Sequence, residues 1–371
     1  MNIFHSKQPP RIAFIRGYYG YSNIGDEAML HVLIRSLIRN KITPLIASKD
    51  TNYTERIHNV DAVYAGAKWN FLKGFLSSNI LIEGPGNKHG FISIIDLGLP
   101  ILAKILRKNV WYVGVGLNPH VWKDRPTINR VQVMRYSVIK RFIISVIFNE
   151  LVDRIYVRDG HSKQFLIFNG VRDRKIEVIK DLAYFLEPPS KERIIDLLSY
   201  LGIDCEKDKL VGISLRRFDD KKINECFSEK IKEIIIRIYG RVPQVKFIFL
   251  PFSTRGYDND VEYSVTIKEM VKSVVPPNRL VIVDSDDPKV IKGIVSICSF
   301  IIGVRYHCCV FSSSCNVPFI AIMYDPKAED VASKALIKVN INEVPVGGVV
   351  GKVVSELRVS GVEPAYARQK K

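Results

Sequence analysis

Short runs of consecutive apolar residues punctuate this chain, and between them apolar positions recur every three or four residues. Runs of the first kind suit strands buried on both faces, and stretches of the second kind suit helices packed along one side. The pattern predicts strands over residues 11–15, 45–48, 79–83, 110–116 and 154–157, then over 210–215, 246–252, 281–283, 300–304 and 318–323. Helical spacing follows the first strand, where Met29, Leu30, Leu33, Leu37 and Ile38 share a face, and it recurs over 191–201 and 307–315. Residues 130–150, apolar and basic together, read as a helix packed on a sheet, with a basic helix near an anionic membrane as the alternative. Strands alternating with helices specify an α/β chain of parallel βαβ units. At 371 residues the chain is too long for one ordinary core and long enough for two. The proline-rich stretch Glu187-Pro188-Pro189-Ser190 is the natural linker, giving Rossmann-like domains over 1–189 and 190–371 with a tail from about 346.

Candidate chemistry collects where strands run out. After the strand at 300–304 come Arg305 and His307, then a small-residue helix closed by Asn316, a second strand, and Tyr324-Asp325-Pro326-Lys327. A helix N-terminus at a strand's carboxyl end favours an anion, to which Arg305 adds a bidentate fork and His307 a group titrating near neutrality. The bland alternative is a solvent-facing arginine and a capping histidine. After the first strand, Gly17, Gly20 and Gly25 make a glycine-rich loop, the place where a backbone approaches a ligand closely. It matches neither the dinucleotide fingerprint nor a P-loop, and Asn23 or Asp26 serves equally well as a helix cap. The strand at 79–83 ends in Glu83-Gly84-Pro85-Gly86. Arg216-Arg217 at a strand end reads as a carboxylate or phosphate clamp or as two solvated arginines. Arg158 reads as a buried arginine paired with Asp159 or Asp181.

The formal net charge of +17 suits nucleic acid, an acidic membrane surface or small anionic substrates. Zinc-finger spacing, RNP-like aromatics and basic helix runs are missing, so nucleic acid is not expected as a partner. The six cysteines form no C-x-x-C pair, and several, in apolar surroundings, read as small core residues of a reduced, intracellular protein. The uncharged span 306–324 is too polar for a transmembrane helix. Asp284-x-Asp286 stands alone, and no metal site is expected.

Two of these stretches resemble one family. Gly17-x-x-Gly20-x-x-Asn23-x-Gly25-Asp26-Glu27 near the start, and Gly303-x-Arg305-x-His307 with Val317-Pro318 and Tyr324-Asp325-Pro326-Lys327 near the end, resemble the polysaccharide pyruvyl transferases. The segments from Val157-Arg158-Asp159 and Lys180-Asp181 continue the likeness, whereas Glu83 and Pro85 interrupt a run of glycines usual in the family. The resemblance implies two Rossmann-like domains facing a cleft, GT-B-like, with no cofactor. It implies transfer of a pyruvyl group from phosphoenolpyruvate onto two hydroxyls of a sugar or lipid-linked glycan, forming a cyclic ketal in cell-envelope polysaccharide synthesis. The resemblance and the strand-end readings together assign catalysis to His307, Arg305 and Arg216, and substrate binding to Gly20, Asn23, Gly25, Asp26, Glu83, Gly86, Arg217 and Lys327. The protein would be cytoplasmic, with a peripheral place at the inner face of an anionic membrane as the alternative. The alternatives are a nucleotide-sugar glycosyltransferase of the same architecture, relying on Asp325 or Glu329, and a non-catalytic sugar-binding scaffold.

Overall fold

The computed structural model describes residues 11–88, 94–117, 138–256, 259–324 and 329–359. The chain forms two compact units. Among the described residues the first comprises 11–21, 26–88, 94–117 and 138–182, and the second 22–25, 183–256, 259–324 and 329–359. The boundary falls at Leu182/Ala183, and Glu187–Ser190 lies inside the second unit.

The first unit holds one parallel sheet built from β1 (Arg11–Arg16), β2 (Ile42–Ser48), β3 (Ala62–Tyr64), β4 (Ile80–Glu83), β5 (Gly86–Lys88), β6 (Asn109–Leu117), β7 (Arg154–Val157) and β8 (Ile176–Val178). Its order is β3-β2-β1-β4-β6-β7-β8, with β5 paired to β6. The helices are α1 (Ile24–Arg39), α2 (Thr51–His58), α3 (Lys68–Ser77), α4 (Ile94–Ile105), α5 (Val138–Val146) and α6 (Gly160–Phe168). A π-helical turn, Ile147–Leu151, continues α5. Alternate residues of β1 serve two cores, Phe14 on one face and Ala13 and Ile15 on the other, as a sheet covered by helices on both faces requires.

The second unit has β9 (Lys209–Ser214), β10 (Val245–Phe249), β11 (Leu280–Ile282), β12 (Phe300–Gly303), β13 (Phe319–Met323) and β14 (Ile337–Asn340), all parallel, in the order β11-β10-β9-β12-β13-β14. Its helices are α7 (Lys191–Tyr200), α8 (Lys221–Arg241), α9 (Asp260–Val271), α10 (Pro288–Ile297), α11 (Tyr306–Ser314), α12 (Glu329–Ala332) and α13 (Val346–Val359). Side chains of Asp220, Asn259 and Asp287 cap α8, α9 and α10, each cap worth about 1 kcal/mol. The stretch from 346, expected to be a tail, is α13. Val349, Val350, Val353 and Leu357 bury one of its faces in the main core, which outweighs its glycines.

Both strand orders reverse once, between β1 and β4 in the first unit and between β9 and β12 in the second. At such a switch point the loops leaving two neighbouring strands diverge and open a crevice at their carboxyl ends. The four loops so placed carry Gly20, Glu83–Gly86, Arg216 and Arg305–His307. Of the helix expected over 130–150, the described residues 138–150 are helical throughout, in α5 and the π-helical turn. Residues 130–137 lie outside the described part, and of α5 only Ile144 is buried.

Candidate functional site

In the second unit β12 delivers Arg305 to the N-cap position of α11, where its backbone N–H donates to Ser214 Oγ at 3.3 Å. Its guanidinium does not await an external anion. Nε lies 3.0 Å from Asp260 Oδ2, and Nη2 lies 2.5 Å from Oδ1. Asp260 is fully buried at the start of α9 and also accepts the backbone N–H groups of Phe252 at 2.9 Å and Ser253 at 3.0 Å. Burial pushes this carboxyl up, and the Arg305 charge and these hydrogen bonds pull it back down. The expected substrate fork is therefore occupied by a carboxylate of the chain itself, because removing so buried a carboxylate from water demands a cation.

The loop that Asp260 grips holds a second piece of the site. Ile24 N–H donates to the Phe252 carbonyl at 2.9 Å, Thr254 N–H to that of Ser22 at 3.4 Å, and Asn23 forms a β-bridge with Ser253. Asn23 Oδ1 accepts from Gly25 N–H at 3.1 Å, so this side chain acts as the local cap. Gly25 faces His307 so closely that a Cβ built there would stand 1.8 Å from Nδ1. His307, half-buried in the first turn of α11, also meets the Tyr306 ring edge-on at 5.0 Å. Asn23, Gly25, Arg305 and His307 thus come together around the β10 loop. Asp260, which ties them, escaped the sequence reading. Its one signal was Asn259-Asp260 opening a helix after a strand.

Arg216 and Arg217 part company. Arg216 donates to the Tyr324 hydroxyl and lies 4.5 Å from that ring's centroid. Arg217 is exposed and lines a separate 630 Å³ cavity with Asp219, Lys221, Glu225 and Glu262, on α8 and α9. They do not form one clamp, since consecutive residues leaving a strand point to opposite sides. Lys327, with Asp325, lies outside the described residues.

In the first unit the loop glycines make room for side chains. Tyr19 is fully buried, and a Cβ at Gly17 or Gly84 would strike its ring or hydroxyl at 2.5 Å or 2.2 Å. The Tyr19 hydroxyl donates to the Pro85 carbonyl at 3.1 Å. Burial, then Asp26, Glu27 and Glu83, hold its pKa well above the ordinary phenol value. Gly20 adopts φ +76° and gives its N–H to Glu27 Oε1 at 2.8 Å. The other Glu27 oxygen lies 2.8 Å from His58 Nε2, and His58 Nδ1 lies 3.3 Å from His31 Nδ1. Glu83 is buried against Arg16, Nε to Oε1 3.3 Å. Asp26 approaches Gly86, where a Cβ would lie 3.0 Å from Oδ1. Gly20, Asp26, Glu83 and Gly86 are thus gathered at one switch point, together with Glu27 of the same signature and with Tyr19 and His58, which the sequence did not single out. Arg158 pairs with Asp181 at 3.4 Å and Asp159 at 3.7 Å, as expected of a buried structural arginine.

Among the described residues no cluster of three or more His, Cys, Asp or Glu is placed to hold a metal, and no helix is long and apolar enough to cross a membrane. The sequence matches the polysaccharide pyruvyl transferase family over residues 23–326. The chain belongs to that family. Comparison with curated proteins gives no match. Solved structures resemble this family member in fold. The UDP-GlcNAc 2-epimerase of Methanocaldococcus jannaschii superposes with a TM-score of 0.60 at 13% identity over 92% of each chain. That of Neisseria meningitidis, bound to UDP-GlcNAc, gives 0.59 at 11% identity over 96% of this chain and 94% of the other. The S. aureus MnaA–UDP structure gives 0.58 at 11% identity over 94% and 87%. At such identity the likeness is one of fold alone. This pyruvyl transferase family member is accordingly α/β with two Rossmann-like units, the GT-B-like class.

Proposed function

We propose that this transferase moves a pyruvyl group from phosphoenolpyruvate onto two hydroxyls of one sugar, in a polysaccharide or its lipid-linked precursor, making a cyclic ketal and releasing phosphate. The family match across residues 23–326 carries this reading. A proton goes to C3 of the enol as a sugar oxygen bonds to C2, and the hydroxyl proton leaves to base. The second hydroxyl oxygen then bonds to C2 as the C2–O–phosphate bond breaks, and its proton passes to the departing phosphate. Phosphate departs with the bonding pair, and C3 remains a methyl group. This chemistry calls for a proton donor and for cations, and for no redox group or further cofactor.

His307 is the proton donor in this proposal. It stands in the first turn of α11, where a bound phosphate or carboxylate would meet its ring. Arg216, oriented by Tyr324, supplies positive charge, and Arg305 acts as a positioning residue through Asp260. The first unit, with Gly20, Asp26, Glu83 and Gly86 at its switch point, takes the acceptor. Lys327 stays a phosphate-side candidate from the family pattern.

Structural neighbours bound to UDP and UDP-GlcNAc favour a second reading, a nucleotide-sugar donor. Phosphate release from phosphoenolpyruvate and UDP release from UDP-GlcNAc, each across a panel of sugar acceptors, separate the two. His307→Gln should bind phosphoenolpyruvate normally and lose about 10²–10⁴-fold in single-turnover phosphate release. UDP release without phosphate release would replace the proposal by its rival.

A further inference from the structure

We propose that the face of the first unit formed by α4 and α5 docks on an anionic lipid bilayer. In α5 the ordinary polarity of a surface helix is inverted. Val138, Ile139 and Phe142 are 81%, 74% and 68% exposed, Ile143 and Val146 are exposed as well, and the buried position is Ile144. These exposed residues fall on one side of a helix, so they form a continuous stripe. On α4, Ile101 and Ile105 are 44% and 71% exposed. The two helices cover the same face of the sheet. Leu99 and Ala103 of α4 share a core cluster with Ile144, and α4 packs against the π-helical turn that continues α5. Phe168, 52% exposed at the end of α6, extends the patch. The Arg141 guanidinium sits 4.6 Å from its ring centroid and donates to its carbonyl. Contiguous apolar exposure of this kind marks an interaction surface.

The charges around the patch choose the partner. No Asp or Glu occurs in residues 97–117 or 138–149. The basic groups there include Lys140, Arg141 and the exposed Arg107, while Lys108 turns inward onto the Leu76 and Ser78 carbonyls. Two acids bordering the patch are already paired, Asp153 with Lys104 at 2.6 Å and Glu150 with Arg172 at 3.0 Å. A second copy docked about a two-fold axis would set this basic apolar surface against itself, cation facing cation. A bilayer with anionic headgroups offers what the patch lacks, an apolar interior for Ile139 and Phe142 and negative charge for the arginines and lysine. None of these residues is assigned to pyruvyl transfer, and the docking does not depend on that reading.

The test is flotation of the full chain with vesicles of phosphatidylcholine containing about one-third phosphatidylglycerol, against vesicles of phosphatidylcholine alone. The wild type should float with the anionic vesicles, much less with the neutral ones, and less in high salt. The double variant Ile139→Ser/Phe142→Ser should lose about tenfold or more in partitioning. Its melting temperature should be unchanged, since both side chains project into solvent. Phe142→Trp retains an aromatic side chain there, and its added fluorescence should shift to the blue on the anionic vesicles. Failure of the wild type to float, or no shift in Phe142→Trp, overturns the proposal. So does a dimer seen by light scattering that the double serine variant abolishes, which assigns the patch to a second copy.

Discussion

Replacing Gly25 with alanine adds a single methyl group at the point where the candidate site is tightest. The new Cβ would stand 1.8 Å from His307 Nδ1, 2.3 Å from Cγ and 2.4 Å from Cε1. Ordinary van der Waals contact needs about 3.5 Å, so the imidazole must withdraw by roughly 1.5 Å. Gly25 lies in the first turn of α1, where alanine is intrinsically better than glycine by up to about 1 kcal/mol. That gain offsets part of the overpacking cost of about 1–3 kcal/mol, and the folded state should survive. Turnover should not, because a misplacement of about 1 Å at a reacting group can cost about 10²-fold. The assay is phosphate release from phosphoenolpyruvate with an accepted sugar, read alongside a thermal melt. In a His307→Gln background the alanine should cost almost nothing further in turnover, since the proton donor it displaces is already lost. A Gly25→Ala enzyme with wild-type rate and an unchanged melt would refute the placement of His307 in the chemistry.

Arg305→Lys should lower stability by about 1–3 kcal/mol, since an ammonium cannot replace the fork on buried Asp260. A double-mutant cycle with Asp260→Asn should show coupling above about 1 kcal/mol, and an additive cycle would deny the pair its structural role. Glu27→Ala should cost about 3 kcal/mol by leaving the Gly20 N–H and His58 without their buried acceptor, read from denaturant melts; a loss below about 0.5 kcal/mol would make that link incidental. The Cys309 thiol is pushed up to about 12 by burial, and Cys298 and Cys308 are raised for the same reason. Near pH 8 these groups stay protonated, so iodoacetamide on the native protein should label exposed Cys226 and spare the three, as peptide mass mapping would show.

Much of this architecture was legible in the sequence because parallel strands buried on both faces leave unbroken apolar runs. β9, β10, β12 and β13 match the runs at 210–215, 246–252, 300–304 and 318–323, with ends shifted by up to three residues. Strands of three or four residues at the edges, β3, β8 and β14, carry too few positions for any period to show. The tail was misjudged because glycines at 347, 348 and 351 suggest a loop, whereas burial of one valine face holds them in a helix. In α5 the helical period was legible, but a period does not say which side meets the sheet, and its apolar stripe faces out.

The same limit separates what was read of the site from what was missed. Residue type and strand-end position pointed to Arg305, His307 and Arg216, since backbone topology alone brings such positions to a switch point. Their partners were hidden because tertiary closure selects them: Asp260 is 45 residues from Arg305, and His58 is 31 from Glu27. The consequence for the glycines is the sharpest. A glycine-rich loop invites a ligand-cradling reading, yet Gly25 admits the His307 ring and Gly17 and Gly84 admit Tyr19. Close approach is needed in both readings, and only the neighbour differs. Because Phe252 and Ser253 hold Ile24 and Asn23, and Asp260 holds Phe252 and Ser253, the position of Gly25 against His307 is set by a carboxylate that has no place in the proposed chemistry. Changes at Asp260 should therefore reach turnover through the position of His307, lowering the rate at saturating phosphoenolpyruvate more than they weaken its binding.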